Sequence, residues 1–287
     1  VTRFVYVNGA YLPYASAGVH VEDRGFQFGD AVYEVCRVRG GRLKGEERHM
    51  ARLARSLSEL GIEAPMSPAA LANVMRQTVV KNRVRDGLVY LQVTRGAGPR
   101  DFIYPGPEVS RTVVCLARSL SPANLDANAG KGIAVMTMPD IRWGRCDIKT
   151  VMLLPACLAK NAAQRDGAKE AWLIDEKGFV TEGASSNAWI IGQDGIVITR
   201  PTAPDILAGV TRATLLDLLR QEGVAFAERP FRLEEALAAR EAFVTSASNT
   251  VMPVVKIDTT MIGNGHPGEL TLRLRSKFQH FADNSSV

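Results

Sequence analysis

The sequence predicts a mixed α/β protein built as two domains, and three observations lead there. At 287 residues the chain exceeds an ordinary single domain and carries ample apolar material for packed cores. Strand-like alternation and helix-like spacing follow one another along its length, with no internal repeat and no low-complexity tract. Near the middle, residues 119–132 form a polar, small-residue, turn-rich stretch. This divides the chain into a smaller N-terminal α/β domain over 1–118, a linker over 119–131 and a larger C-terminal α/β domain over 132–287.

Taken in order, Phe4–Val7 followed by Asn8-Gly9 reads as a strand entering a hairpin turn. Residues 31–38, Ala-Val-Tyr-Glu-Val-Cys-Arg-Val, alternate as a strand, and Gly40-Gly41 closes a turn. The period then changes: Met50, Leu53, Leu57 and Leu60 fall at helical spacing over 46–60, and Gly61 stops the run. Ser67-Pro68 opens a second helix over 68–82, and strands are expected at 88–94 and 112–117. Strand signals resume at Ile133. A helix is expected over 151–166, strands at 170–175 and 187–192, and helices at 210–222 and 233–239. Strands near 242–245 and 253–257 precede a final helix over 269–282.

Composition removes several function classes. The net charge of +5 is mild for this length, and no Lys/Arg block or interleaved aromatic stripe offers a nucleic-acid surface. Cys36, Cys115, Cys146 and Cys157 form no CxxC spacing and read as reduced thiols, with Cys146 a packing residue. His20, His49, His266 and His280 show no metal spacing, so no metal is expected, and His49 reads as structural. No apolar run approaches the roughly 18 residues of a membrane span, and the opening residues read as a strand, not a secretory signal. The expectation is a soluble, cytoplasmic protein.

One lysine carries most of the functional reading. Lys149, in Asp147-Ile148-Lys149-Thr150, sits between apolar Ile148 and Val151. Poor hydration disfavours the ammonium form and makes the neutral amine available to a carbonyl. Alone, Lys149 would read as a surface lysine at an element boundary. It is paired, however, with Val180-Thr-Glu-Gly-Ala-Ser-Ser-Asn187, which sets the carboxylate of Glu182 beside a glycine and two serines. A pyridoxal-phosphate enzyme needs both a covalent lysine and an acid that keeps a proton on the pyridine nitrogen.

Such a cofactor also needs a phosphate site. Gly209-Val210-Thr211-Arg212 sits where a loop opens a helix, so backbone N–H groups, the helix dipole and the Thr211 hydroxyl converge there. Phe243-Val-Thr-Ser246-Ala247-Ser248 leaves a strand with several hydroxyls, and Arg52 offers a two-pronged charge. Individually, Thr211 also reads as a helix cap and Arg52 as a solvated charge. None of these segments is a Walker A or Rossmann fingerprint. On the substrate side, Tyr33 is one candidate for a carboxylate, and the turn Thr94-Arg95-Gly-Ala-Gly-Pro-Arg100 presents two arginines. A core tyrosine and a solvated loop are the alternatives.

Together these stretches resemble the fold-type IV pyridoxal-phosphate enzymes, the class IV aminotransferases, and among them the D-amino-acid aminotransferases. The resemblance rests on Glu22-Asp-Arg-Gly-Phe-Gln-Phe-Gly-Asp30, Val32-Tyr-Glu-Val35, Asp147-Ile-Lys149, Val180-Thr-Glu-Gly183 with Ser185-Ser-Asn187, and Leu207-Ala-Gly-Val-Thr-Arg212. It implies that Lys149 holds pyridoxal 5'-phosphate covalently and shuttles the proton, and that Glu182 holds the pyridine nitrogen. It implies that Arg52, Val210, Thr211, Ser246 and Ala247 hold the phosphate, with Leu207 pressing the ring and Ser185 supporting it. Ala247 stands where the family commonly has threonine. Tyr33 and Arg100 are implied for the substrate carboxylate, Arg100 entering from the neighbouring subunit of a homodimer.

One departure matters. The D-specific pattern reads Arg-x-His, whereas this chain has Arg100-Asp101-Phe102. Phe102 cannot donate, and losing one charge-assisted bond weakens carboxylate binding by roughly 1.5–3 kcal/mol if nothing replaces it. The implied reaction is a ping-pong transamination from a D-amino acid such as D-alanine to a 2-oxo acid such as 2-oxoglutarate. Branched-chain L-aminotransferases, (R)-amine transaminases and aminodeoxychorismate lyase keep the same lysine and glutamate. The Val32–Val35 strand and Arg100 favour the D-amino-acid reading, and Phe102 keeps the amine reading open. A silent cofactor carrier would have lost Lys149 or Glu182, and a binder of some other phosphate would show no cofactor absorbance.

Overall fold

The computed structural model describes residues 3–284. The chain forms two compact units. The first takes the chain up to Ser121 and also Ile148–Met152; the second takes Pro122–Asp147 and the chain from Leu153 onward.

The first unit runs β1 (Phe4–Val7), β2 (Ala10–Pro13), α1 (Arg24–Phe28), β3 (Ala31–Arg39), β4 (Arg42–Leu43), α2 (Glu46–Glu59), α3 (Pro68–Lys81), β5 (Gly87–Thr94) and β6 (Thr112–Ser119). Its six strands pair antiparallel in the order β2-β1-β6-β5-β3-β4. Asn8 and Gly9 both take positive φ, 44° and 98°, which lets a two-residue turn join Val7 to Ala10. The sheet has one helix-covered face, and β3 displays the consequence. Val32, Glu34, Cys36 and Val38 are buried, while Tyr33, Val35 and Arg37 are half-buried on the other side. α2 lays His49, Met50, Leu53, Ser56 and Leu57 inward, and α3 adds Leu71, Met75 and Val79. Ser67 caps α3 by accepting from Ala70 N at 3.2 Å, with Pro68 in the first turn.

The second unit runs α4 (Pro122–Lys131), β7 (Ile133–Pro139), α5 (Leu154–Arg165), β8 (Glu170–Ile174), β9 (Val180–Gly183), β10 (Asn187–Ile191), β11 (Val197–Thr199), α6 (Val210–Gln221), β12 (Phe226–Glu228), α7 (Leu233–Leu237), β13 (Glu241–Ser246), β14 (Thr250–Ile257), β15 (Thr260–Met261) and α8 (Glu269–Asn284). The sheet order is β12-β11-β10-β13-β14-β7-β8-β9, with β15 added on β14. It is mixed: β11–β12, β14–β7 and β7–β8 are parallel and the remaining pairs antiparallel. Its two faces bury separate cores. Trp172, Phe231 and Ile190 lie in one, while Trp189, Leu215 and Phe243 lie in the other beneath α6 and α8.

Two expectations are corrected. The stretch 119–131 is no linker, because Pro122–Lys131 is helix α4. Its proline starts the helix, its alanines sustain it, and Gly132 at φ 74° ends it. Packing completes the helix: Ala129 is buried, and Asp126 accepts from Arg275 Nη2 at 2.8 Å.

The segment bearing Lys149 belongs with the first unit, not with the C-terminal domain. β4 is only two residues long and leaves the Ala31–Tyr33 end of β3 without a partner strand on that side. Residues 149–151 fill it: Tyr33 N donates to Lys149 O at 3.0 Å and Val151 N to Ala31 O at 3.1 Å. That pairing is why α5 begins at Leu154 and not at 151.

Candidate active site

In the first unit, β3 and the 148–152 segment bring Lys149 to Tyr33. Lys149 Nζ lies 4.2 Å from the centre of the Tyr33 ring, and Tyr33 stacks on Tyr90 with ring centres 5.5 Å apart. Tyr90 Oη donates to Gln92 Oε1 at 2.7 Å, so the aromatic pair is anchored at its far end. Ser56 of α2 accepts from Lys149 N at 3.3 Å. The same helix face carries Arg52 and His49 one and two turns earlier.

Arg52 is not the solvated helical charge of the alternative reading. Its Nε donates to Glu34 Oε1 at 2.8 Å and its Nη2 to Glu34 Oε2 at 2.7 Å, a two-pronged contact. His49 Nδ1 lies 2.7 Å from Glu34 Oε2. Burial by itself would raise the Glu34 pKa, but Arg52 and His49 more than offset it and bring it down to about 2. Burial lowers the His49 pKa despite Glu34. The ionised carboxylate can only accept, so Nδ1 carries the imidazole proton. Glu34 escapes the sequence reading, yet a signal exists: it occupies the face of β3 otherwise taken by Val32, Cys36 and Val38. A carboxylate on an apolar face implies a buried partner.

In the second unit the residues gather around Glu182, which ends in a buried position on β9. Arg142 Nη1 donates to Glu182 Oε1 at 2.5 Å, Asn187 Nδ2 to Oε2 at 2.9 Å, and Leu207 N to the two oxygens at 3.1 and 3.2 Å. Asn187 Nδ2 also donates to Leu207 O at 3.0 Å, tying β10 to the loop before α6. Arg142 is itself forked onto Asp140, Nε to Oδ1 at 2.9 Å and Nη2 to Oδ2 at 2.8 Å. Burial opposes the charge of Arg142, but Asp140 and Glu182 raise its pKa well beyond the usual guanidinium range. Arg142 and Asn187 have no role in the sequence reading. The only mark of Arg142 is the alternation Asp140-Ile-Arg142, too short to distinguish from a solvated turn.

The start of α6 is an anion position. Gly209 is its N-cap, no side chain caps it, and no acidic residue stands in its first turn. A β-carbon on Gly209 would drive into Asn187 Oδ1. Ser246 Oγ lies 3.1 Å from Ser248 Oγ and accepts from Asn249 N at 3.1 Å, forming a hydroxyl-lined turn at the end of β13. Register pairs Asn187 with Thr245, so the Glu182 end of β10 and this turn are neighbours. An uncapped helix start, a hydroxyl turn and a buried carboxylate are the donors and acceptor that a phosphorylated pyridine requires. The expected cofactor fits.

Other expected residues stand apart. The Ser185 hydroxyl donates to Glu170 Oε2 at 2.6 Å and receives Lys160 Nζ at 2.6 Å, a cluster joined by Ser186 Oγ at 3.1 Å. Arg100 lies over Phe28 at 5.2 Å, and Phe102 is 80% exposed with its ring centre 5.8 Å from that of Phe28. Burial raises the Cys146 thiol to about 11, in keeping with a packing role. Among the described residues no group of three or more acidic, histidine or cysteine side chains could hold a metal ion. No helix among them is long and apolar enough to cross a membrane.

The amino-transferase class IV family profile matches residues 31–257. The D-alanine aminotransferase of Bacillus licheniformis is 39% identical over 276 residues, 96% of each chain. That of Staphylococcus haemolyticus is 38% identical, covering 98% of this chain and 99% of its own. Among solved structures, a T.th. branched-chain amino acid aminotransferase complexed with N-(5'-phosphopyridoxyl)-L-glutamate superposes with a TM-score of 0.87 at 25% identity, covering 99% of this chain and 95% of its own. The fold, the donor set around Glu182 and the start of α6, and these full-length matches lead to one assignment: the chain belongs to the class IV aminotransferases, enzymes that work with pyridoxal phosphate.

Proposed function

We propose that this aminotransferase moves the amino group of a D-amino acid, D-alanine first among them, to a 2-oxo acid such as 2-oxoglutarate. The observation that carries the reading is Lys149 Nζ over the Tyr33 ring, which puts the tyrosine of the D-amino-acid pattern at the reactive amine. The names of the full-length relatives point the same way.

Bound pyridoxal phosphate supplies an electron sink for the substrate α-carbon and a carrier for the amino group. Lys149 would anchor it covalently and would carry the α-proton. Glu182, paired with Arg142, would hold a proton at the pyridine nitrogen. Arg52, Val210, Thr211, Ser246 and the Ala247 backbone would hold the phosphate, Leu207 would press the ring, and Ser185 would steady the turn beside it. Tyr33 and Arg100 take the substrate carboxylate, with Phe102 leaving an apolar gap where a histidine donor would stand.

Arg100 acts in the site of a second copy, so the working form is a homodimer in the cytoplasm. Strong exposure of Phe102, Ile103 and Tyr104 supports a covering partner there. An (R)-amine transaminase is the second reading, favoured by Phe102 alone.

The test is an absorbance spectrum of the protein with pyridoxal phosphate, followed by D-alanine and then 2-oxoglutarate. The expected result is a visible band that bleaches with the first and returns with the second. Indifference to D-alanine with bleaching by (R)-1-phenylethylamine supports the amine reading, and bleaching by L-leucine alone sinks the D-amino-acid one.

A further inference from the structure

The stretch Glu22–Asp30 is the most distinctive run in the sequence that the proposed chemistry leaves without a task. Its side chains are spent on one neighbour. Asp23 caps α1, accepting from Gly25 N at 2.9 Å, and its other oxygen receives the Thr94 hydroxyl at 2.8 Å. Gly25 has no room for a β-carbon against the Thr94 side chain, so α1 lies directly on the end of β5. Arg24 N donates to Gly96 O at 2.9 Å and Gly98 N to Glu22 O at 3.3 Å.

At the centre sits Asp30. Its Oδ2 accepts from Arg24 Nε at 2.8 Å and from Arg95 Nε at 2.7 Å, and both arginines are almost fully buried. Two guanidinium groups on one carboxylate leave a surplus of buried positive charge, which must be met by other acceptors. Arg95 meets it inward, donating to Leu60 O at 2.7 Å and Gly61 O at 2.9 Å. Arg24 meets it outward: its Nη1 donates to Asp101 O at 2.6 Å and reaches Ile103 O at 3.5 Å. The same two arginines grip the loop by its rings. Arg95 lies 3.6 Å from the centre of Tyr104, and Arg24 lies 4.5 Å from Phe28, whose ring meets both Arg100 and Phe102.

We infer that Arg24, held by Asp30 and paired with Arg95, is a positioning residue for the 100–104 loop. It sets where Arg100 and Phe102 are presented, and hence the enzyme's selectivity for donors that carry a carboxylate. The inference rests on the reading that Arg100 binds that carboxylate. Arg24 needs its planar fork, because one nitrogen serves Asp30 while another serves the Asp101 carbonyl, and a lysine, with its donors on one nitrogen, does not reproduce that spacing.

The test is a cycle of holoenzyme variants, Arg24→Lys, Arg100→Ala and the double, assayed with D-alanine and 2-oxoglutarate. Arg24→Lys should raise KM for D-alanine about tenfold and leave kcat within about twofold, a loss of placement and not of chemistry. In the double variant KM should equal that of Arg100→Ala, since a residue acting through Arg100 has nothing left to position. Multiplied effects, or an unchanged KM in Arg24→Lys, overturn the inference. An unchanged KM in Arg100→Ala overturns the carboxylate reading beneath it. If Arg24→Lys does not fold, Tyr104→Leu loosens the other end of the loop from Arg95, and the same rise in KM alone is required.

Discussion

In the first unit a glutamate holds an arginine, whereas in the second an arginine holds a glutamate. Glu34 grips Arg52 with both oxygens while His49 braces it from behind. Arg142 grips Glu182 with one nitrogen and is itself braced by Asp140. The ion pairs are chemically alike, and their roles are opposite. On the proposed assignment the cation is the working group in one pair and the carboxylate its mount; in the other the carboxylate works and the cation is the mount.

The comparison breaks most visibly at Glu34. Glu34→Ala removes the carboxylate that two nitrogens of the buried Arg52 grip, at a cost of about 3–5 kcal/mol in denaturant unfolding, with weakened pyridoxal-phosphate affinity. Arg142→Met should lower kcat with little loss of cofactor affinity. If the Arg142 variant loses cofactor and keeps its kcat, the two mounts are not opposites.

Next in size is the acid limb of stability. The folded Glu34 pKa of about 2 lies below its unfolded value of about 4.3. The pair therefore contributes fully above pH ~4.3, and the contribution fades as pH falls toward 2, a loss on the order of 3 kcal/mol. Neutral His49 takes up a proton on unfolding and starts a shallower loss below about pH 6.5. Unfolding free energies followed from pH 7 to pH 3 should fall less steeply in Glu34→Gln than in the parent. Parallel curves would show that Glu34 is not the group titrating.

Glu182→Gln removes the charge proposed to keep the pyridine proton and should lower kcat roughly 100-fold, with a smaller change in KM. Steady-state kinetics with D-alanine read it, and an unchanged kcat would strip Glu182 of its role. The smallest effect is a gain. Ala247→Thr restores one hydroxyl, worth about 0.5–1.5 kcal/mol, so pyridoxal phosphate should bind roughly two- to tenfold more tightly to the apoenzyme in a fluorescence titration.

Regular elements are legible wherever periodicity is strong. Alternation marks β3 and β5, and Ser67-Pro68 marks the start of α3, because caps and face patterns are local physics. The polar stretch 119–131 misleads because its helix is fixed by burial of Ala129 and by the Arg275–Asp126 pair, contacts made far along the chain. Lys149 and Tyr33 stand out separately in the sequence; that they meet depends on a free stretch of β3, which no local pattern records. Arg142 is invisible for the same reason, since its partner Glu182 lies 40 residues away.

Gly209 links two tasks that mutagenesis would treat as independent. It opens the helix proposed to face a phosphate, yet its missing side chain is what leaves room for Asn187, whose amide holds Glu182. A methyl group at 209 would push the amide aside and so disturb the carboxylate assigned to the far end of the ring. Gly209→Ala would then present as an electronic defect, with altered cofactor absorbance and slow turnover, in a variant made to study anion binding. Libraries that diversify the phosphate loop should leave this codon alone, or they will score ring chemistry under the wrong heading.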